Sequence, residues 1–137
     1  MNYVKLCGLL LCSVLTLTAL SGCIALLAGG AAGAGSVVYV KGQLKDTVNA
    51  PVTAVHSAAS ATLKELSLPA IEDRHDTLSA RMKSRFADGQ DVWIEVEYVT
   101  LESSRITVRV GIMGDERKSR QILDGIYKHL KESGYKT

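Results

Sequence analysis

The chain has 137 residues, with 16 Lys and Arg against 14 Asp and Glu, two prolines and one phenylalanine. That length supports one domain around one hydrophobic core. The near-balanced charge gives no electrostatic footprint for a nucleic-acid partner, and so few prolines and phenylalanines exclude a Pro-rich tail or an aromatic-lined channel.

Met1 to Lys5 is a short n-region carrying the amino terminus and one lysine. Leu6 to Leu20 follows as a 15-residue apolar run. This suits a secretory signal core and falls short of the roughly 20 residues a spanning helix needs. Small residues Ser21 and Gly22 come next, then Cys23. Left uncleaved, residues 1–22 are expected to form a helix. The tetrapeptide Leu20-Ser21-Gly22-Cys23 resembles the lipobox of bacterial lipoproteins. The resemblance implies cleavage before Cys23, a diacylglycerol on its thiol and usually an acyl chain, such as palmitate, on its new amine. One acyl chain anchors marginally and two or three anchor durably, since each buried methylene contributes about 0.8 kcal/mol. Ile24 follows instead of Asp, which by resemblance to enteric lipoproteins implies sorting to the outer membrane, facing the periplasm. Cys7 and Cys12 would leave with the signal, so the exported domain would have neither free thiol nor disulfide.

Three regions are therefore expected: a signal peptide over 1–22, a lipidated Gly/Ala-rich stalk over 23–36, and a domain over 37–137. Residues 24–40 carry no charge, and Gly29, Gly30, Gly33 and Gly35 interleave with alanines. Two readings of this stretch compete. It is a flexible tether, or Gly29 and Gly33 form a small-residue surface for a helix packing in lipid.

Val37 to Lys45 is rich in β-branched and aromatic residues and predicts a first strand. Asn49 is the expected N-cap of a helix with Pro51 in its first turn. Val52, Val55, Ala59, Leu63 and Leu66 give that helix one apolar stripe. It should end at 66–68, because Pro69 disfavours helix at the residue before it. A short strand is expected over 70–74. Three alternating segments then predict strands: Leu78 to Phe86, Val92 to Tyr98 and Ile106 to Ile112. Matching the apolar faces across an Ala87-Asp88-Gly89 loop pairs Phe86 with Gln90 and Met82 with Ile94. A second hairpin around 101–104 is expected to pair Tyr98 with Ile106 and Ile94 with Val110. Asp115 should cap a last helix whose stripe is Ile122, Leu123, Ile126 and Leu130, with Gly134 at its C-terminal end. The expected fold is α+β: an antiparallel sheet of four or five strands with two helices on its apolar face, a two-layer sandwich.

The opposite face carries an acidic central strand between basic ones, read chiefly as solvated cross-strand pairs. Trp93 lies on it, expected opposite Gly111 and near Lys83. It either covers the bare glycine backbone or serves as a partner anchor. His56, His75 and His129 stand apart in sequence from one another and from cysteine, so no metal-ligand spacing is evident. Glu72, Asp73 and Asp76 surround His75, where a polar turn is the better reading and a weak metal site the lesser. Nucleophile-elbow, phosphate-loop and dinucleotide motifs are absent. No enzymatic activity, cofactor or metal is expected.

The whole chain resembles a family of small bacterial lipoproteins whose domain is catalogued as having unknown function. The resemblance rests on LSGC (20–23), the Gly/Ala stalk leading into YVKGQL (39–44), ADGQDVWIEV (87–96) and RVGIMGDERKSRQIL (109–123). It implies a role for Cys23 alone, as the lipidation site. The expected function is that of a lipid-anchored envelope protein with a structural or protein-interaction role. Its partners would be membrane lipid, through acylated Cys23, and an envelope protein. A binding module for a small apolar or lipid-like ligand is the alternative.

Overall fold

A computed structural model describes residues 37–137. The expected signal peptide over 1–22 and the expected lipidated stalk over 23–36, with Cys23, lie outside the described residues. Eight elements follow in chain order: β1 (Val38–Val40), β2 (Gln43–Val48), α1 (Val52–Glu65), β3 (Glu72–His75), β4 (Ser79–Arg85), β5 (Asp91–Thr100), β6 (Ser103–Val110) and α2 (Glu116–Glu132). All strand pairs are antiparallel, in the order β1-β2-β6-β5-β4-β3. The class is the expected α+β, but the sheet has six strands rather than four or five.

The added strand comes from the first segment. Lys41 and Gly42 both have positive φ, 51° and 76°, and fold the expected single strand into the β1–β2 hairpin. A two-residue turn with both φ positive matches the right-handed twist of the strands it joins. The second edge strand, β3, starts two residues later than expected. It takes in His75, so the polar turn expected around His75 begins only at Asp76. There Asp76 Oδ1 accepts from the backbone N–H groups of Leu78 (2.7 Å) and Ser79 (2.8 Å).

The β4–β5 hairpin has the predicted register. Met82 pairs with Ile94, Phe86 N donates to Gln90 O at 2.9 Å, and Gly89 takes φ +87°. The β5–β6 register differs from expectation by two residues: Ile94 pairs with Val108 and Tyr98 with Ser104. The turn is tighter than predicted, since Thr100 pairs with Ser103, and an irregularity between Tyr98 and Thr100 absorbs one residue. A shift of two keeps every side chain on its own face. It does change neighbours: Glu95 faces Thr107 rather than Arg109, and Trp93 faces Arg109 rather than Gly111.

Both helices cover the apolar face. Leu44 and Val48 from β2, Ala80 and Met82 from β4, Val92, Ile94 and Val96 from β5, and Ile106, Val108 and Val110 from β6 are buried. They meet Val52, Val55, Ala59 and Leu63 of α1 and Ile122, Leu123, Ile126 and Leu130 of α2, the two predicted stripes apart from Leu66, which is the half-buried C-cap of α1. Each such aliphatic side chain contributes about 1.5–3 kcal/mol relative to exposure. Leu78 and Ile112, expected to point inward, are exposed, because β4 begins at Ser79 and β6 ends at Val110.

Helix ends follow local chemistry. Pro51, not Asn49, occupies the N-cap of α1, and no side chain caps that end. Ser104 Oγ instead pins the approach by donating to Ala50 O at 2.6 Å. At the other end Leu68 N donates to Leu63 O (2.8 Å) around Ser67, whose φ is +56°. Asp115 caps α2 as predicted, accepting from Lys118 N at 3.1 Å. Gly134 (φ +88°) closes it, with Tyr135 N donating to Leu130 O at 3.0 Å. The helices approach closely at Gly125, where an added Cβ would lie 2.5 Å from Thr62 Cγ2. Glu65 joins them at the surface through Lys128 (2.8 Å) and His129 (2.9 Å).

Candidate interaction face

Among the described residues, nothing packs over the side of the sheet opposite the helices. Strand alternation sends Trp93 outward between Val92 and Ile94, both buried. Two cations flank its ring: Lys83 Nζ at 5.5 Å and Arg109 Cζ at 5.7 Å from the centroid. At such exposure each contributes about 0.5–1 kcal/mol. Lys83 also reaches Asp91 at 3.2 Å, and Arg85 Nε donates to the same carboxylate at 2.5 Å. The Arg85 hydrogen bond holds the Asp91 carboxyl below its ordinary range, against the desolvation that raises it and with Lys83 adding to the lowering.

Arg109 links this aromatic site to the loop between β6 and α2. Its guanidinium donates to the backbone oxygens of Gly111 (3.2 Å from Nε) and Ile112. Gly111 turns the chain with φ +73°, and Ile112 and Met113 then project almost fully into solvent. A groove of about 610 Å³ runs from Trp93 and Asp91 along Gly111 to Glu116. Gln90, which lines this groove, accepts at Oε1 from Lys118 at 2.8 Å, and Lys118 also contacts Asp88 and sits 4.7 Å over the Phe86 ring. The nearest side chain to the open side of Gly111 is Gln90, at 3.7 Å. The covering role expected of Trp93 therefore falls to Gln90, because the two-residue register difference moves Trp93 across from Arg109. The exposed Ile112 and Met113 were missed in sequence because alternation carries on through Ile112. Gly111 and Gly114 were the signal that the strand had ended.

Ion pairs around this face and between the helices predict an acid limb. The carboxyls of Asp91, Asp88 and Glu65 are held below their ordinary range, chiefly by hydrogen bonds from Arg85, Lys118 and Lys128 respectively. A depressed folded value stabilises above the ordinary range and loses that contribution as pH falls through the folded value. Thermal melts should be flat above about pH 5 and drop below about pH 4. Because Asp88 and Glu65 are exposed and Asp91 is half-buried, 1 M NaCl should shrink the drop.

Away from this face, His56, Asp73 and His75 place one ligand atom each within 4.8 Å of one another. Sequence spacing did not bring them together. His56 is on α1 and the other two are on the edge strand β3. The strand signal Asp-x-His was present; the partner from the helix was not readable.

The described residues form a small α+β domain: helices cover one face of its sheet, and the other presents an aromatic ring between cations beside an apolar loop tip. The chain belongs to the family described as a protein of unknown function (DUF3568), whose model matches residues 5–129. No curated protein matches it.

Proposed function

We propose that this is a lipid-anchored lipoprotein of the bacterial cell envelope. It is held through acylated Cys23, in the outer membrane and facing the periplasm, and its role is protein interaction through the Trp93 face. The observation that carries the reading is Leu20-Ser21-Gly22-Cys23 directly behind the apolar run Leu6–Leu20. In its support, all three cysteines fall at or before position 23, so the domain packs without disulfides in an oxidising compartment. Trp93, Ile112 and Met113 supply the aromatic and apolar anchors that interface centres favour. Among the described residues no helix is long and apolar enough to cross a membrane.

Intact mass spectrometry of protein extracted from membranes tests the anchor. The expected chain begins at Cys23 with lipid attached, and Cys23→Ser leaves it unprocessed or released. A chain intact from Met1 would overturn the reading. Crosslinking in cells tests the face. Trp93→Ala should reduce partner capture several-fold while lowering Tm only by the few degrees that losing two cation–π contacts implies, whereas undiminished capture would make Trp93 a structural residue.

A second reading has one observation in its favour. A groove of about 420 Å³ is lined by Leu63, Leu68, Pro69, Ala70 and Met82. Its size and apolar walls suit a small apolar or lipid-like ligand. A small molecule released from gently purified protein in native mass spectrometry, and lost in Ala70→Trp, would favour this role over protein interaction.

A further inference from the structure

We propose that His56, Asp73 and His75 bind one divalent transition-metal ion of the imidazole-preferring class, zinc(II) or copper(II). The site would join the edge strand β3 to helix α1.

Placement follows from two periodicities. Asp73 and His75 are two residues apart on a strand, so they share a face. Their cross-strand partners are Met82 and Ala80, both buried, so that face is the one the helices cover. At the sheet edge the cover thins, and His56, next to the core residue Val55, reaches out from the flank of α1. His56 Nε2 lies 2.7 Å from Asp73 Oδ1. His75 Nδ1 lies 3.9 Å from the same oxygen. The two imidazoles stack, with centroids 4.1 Å apart and planes 24° off parallel. Three potential donors from two packed elements thus lie within 4.8 Å of one another, and His75 needs only to turn out of the stack for its ring nitrogen to face the same point as the other two.

The donor set selects the ion. Two imidazoles and one carboxylate suit zinc or copper, whereas magnesium and calcium require mostly oxygen. A tetrahedral zinc ion holds its ligand atoms about 3.3 Å apart, from bonds of about 2.0–2.1 Å. The observed separations bracket that value, so the ion would replace the direct His56–Asp73 contact and draw His75 inward. His75 has room to turn, its side chain being 55% exposed, while His56 at 13% is held by the core beside it. The exposed side leaves the remaining coordination position to water, the arrangement of an open zinc site. Neighbouring charges are already committed: Glu72 pairs with Arg74 at 2.9 Å, and Asp76 accepts backbone N–H groups of its own turn. The site lies on the helix side of the sheet, whereas Trp93 lies on the other, so it stands independently of the interaction face.

The test uses the full chain, without a histidine tag, purified in detergent with its free thiols alkylated. Titration calorimetry with zinc chloride is expected to show one equivalent bound, and saturating zinc should raise Tm by roughly 5 °C. Magnesium chloride should do neither. The cobalt(II) form should show visible ligand-field bands without a sulfur-to-metal charge-transfer band. His75→Ala, at an exposed position, should keep the metal-free Tm and lose at least about tenfold in zinc affinity, and His56→Gln should lose as much. Zinc uptake no stronger than magnesium uptake, or His75→Ala binding zinc as tightly as the unaltered chain, would overturn the proposal. Should His56→Gln fail to fold, His75→Ala decides alone.

Discussion

Replacing Gly114 with alanine is expected to destabilise the domain by about 3–5 kcal/mol, combining left-handed backbone strain with a clash that cannot relax. Gly114 has φ +84°, and an added Cβ would stand 2.3 Å from Gly42 Cα and 2.4 Å from Gly42 O. Both neighbours are backbone, so relief requires separating the β1–β2 turn from the loop that leads into α2. The reverse substitution meets the same barrier, since a Cβ on Gly42 would lie 2.7 Å from Met113 O. Thermal or urea denaturation measures the effect, with an expected fall in Tm of roughly 12 °C or more. Gly89→Ala is the internal control. Its φ is +87° but nothing lies within 4 Å of the added carbon, so only the conformational cost of about 1–2 kcal/mol should appear. Equal losses at the two positions would show that the glycine–glycine contact contributes nothing. The same contact seats the loop that carries Ile112 and Met113, so Gly114→Ala should also weaken whatever the Trp93 groove binds.

The second large effect is expected at Tyr127, through Asp46. Asp46 is on the apolar side of β2, only 5% exposed, and Tyr127 donates its phenolic O–H to Oδ2. Among the described residues Oδ1 has no hydrogen-bond partner. Tyr127→Phe therefore leaves a buried carboxylate without its donor and should cost about 2–4 kcal/mol. Asp46→Leu combined with Tyr127→Phe should recover most of that loss, since neither polar group then remains. A double variant as unstable as Tyr127→Phe alone would contradict this account. Burial, and then the hydrogen bond to Asp46, push the Tyr127 hydroxyl well above its ordinary value. A raised folded value stabilises below the unfolded value and loses that contribution as pH rises beyond it. Unaltered protein should accordingly lose stability above about pH 10, and Tyr127→Phe should lack that component.

The core strands could be read from sequence because their two faces differ so cleanly. Val92, Ile94 and Val96 against Trp93, Glu95 and Glu97 allow only one face inward, and Gly89 set the β4–β5 register. The same logic failed by two residues at β5–β6, since face matching cannot distinguish registers that differ by a full strand period. The small distortion between Tyr98 and Thr100 decided it. The split at Lys41–Gly42 was hidden because strand-compatible residues, Val38 to Val40 and then Leu44, stand on both sides of the turn. Asp46 was hidden differently: an acid near a strand end reads as exposed until the helix above it is known to bring Tyr127. At the candidate site, Trp93 was visible as an outward aromatic, but its cationic neighbours depended on register. The His56–Asp73–His75 group depended on a helix meeting an edge strand, which no local spacing encodes.

A pull on the chain upstream of Val38 loads the shortest strand first. β1 has three residues, touches only β2 in the sheet, and contributes no fully buried side chain. Its one long-range side-chain bond is Tyr39 O–H to Gly114 O, at 3.1 Å. Peeling Val38–Val40 away would remove only the half-buried Tyr39 from the rim of the core, leave the five-stranded remainder and both helices paired, and release roughly 10 Å of slack at about 3.4 Å per residue. Force is thus absorbed as length before it reaches the packed layers.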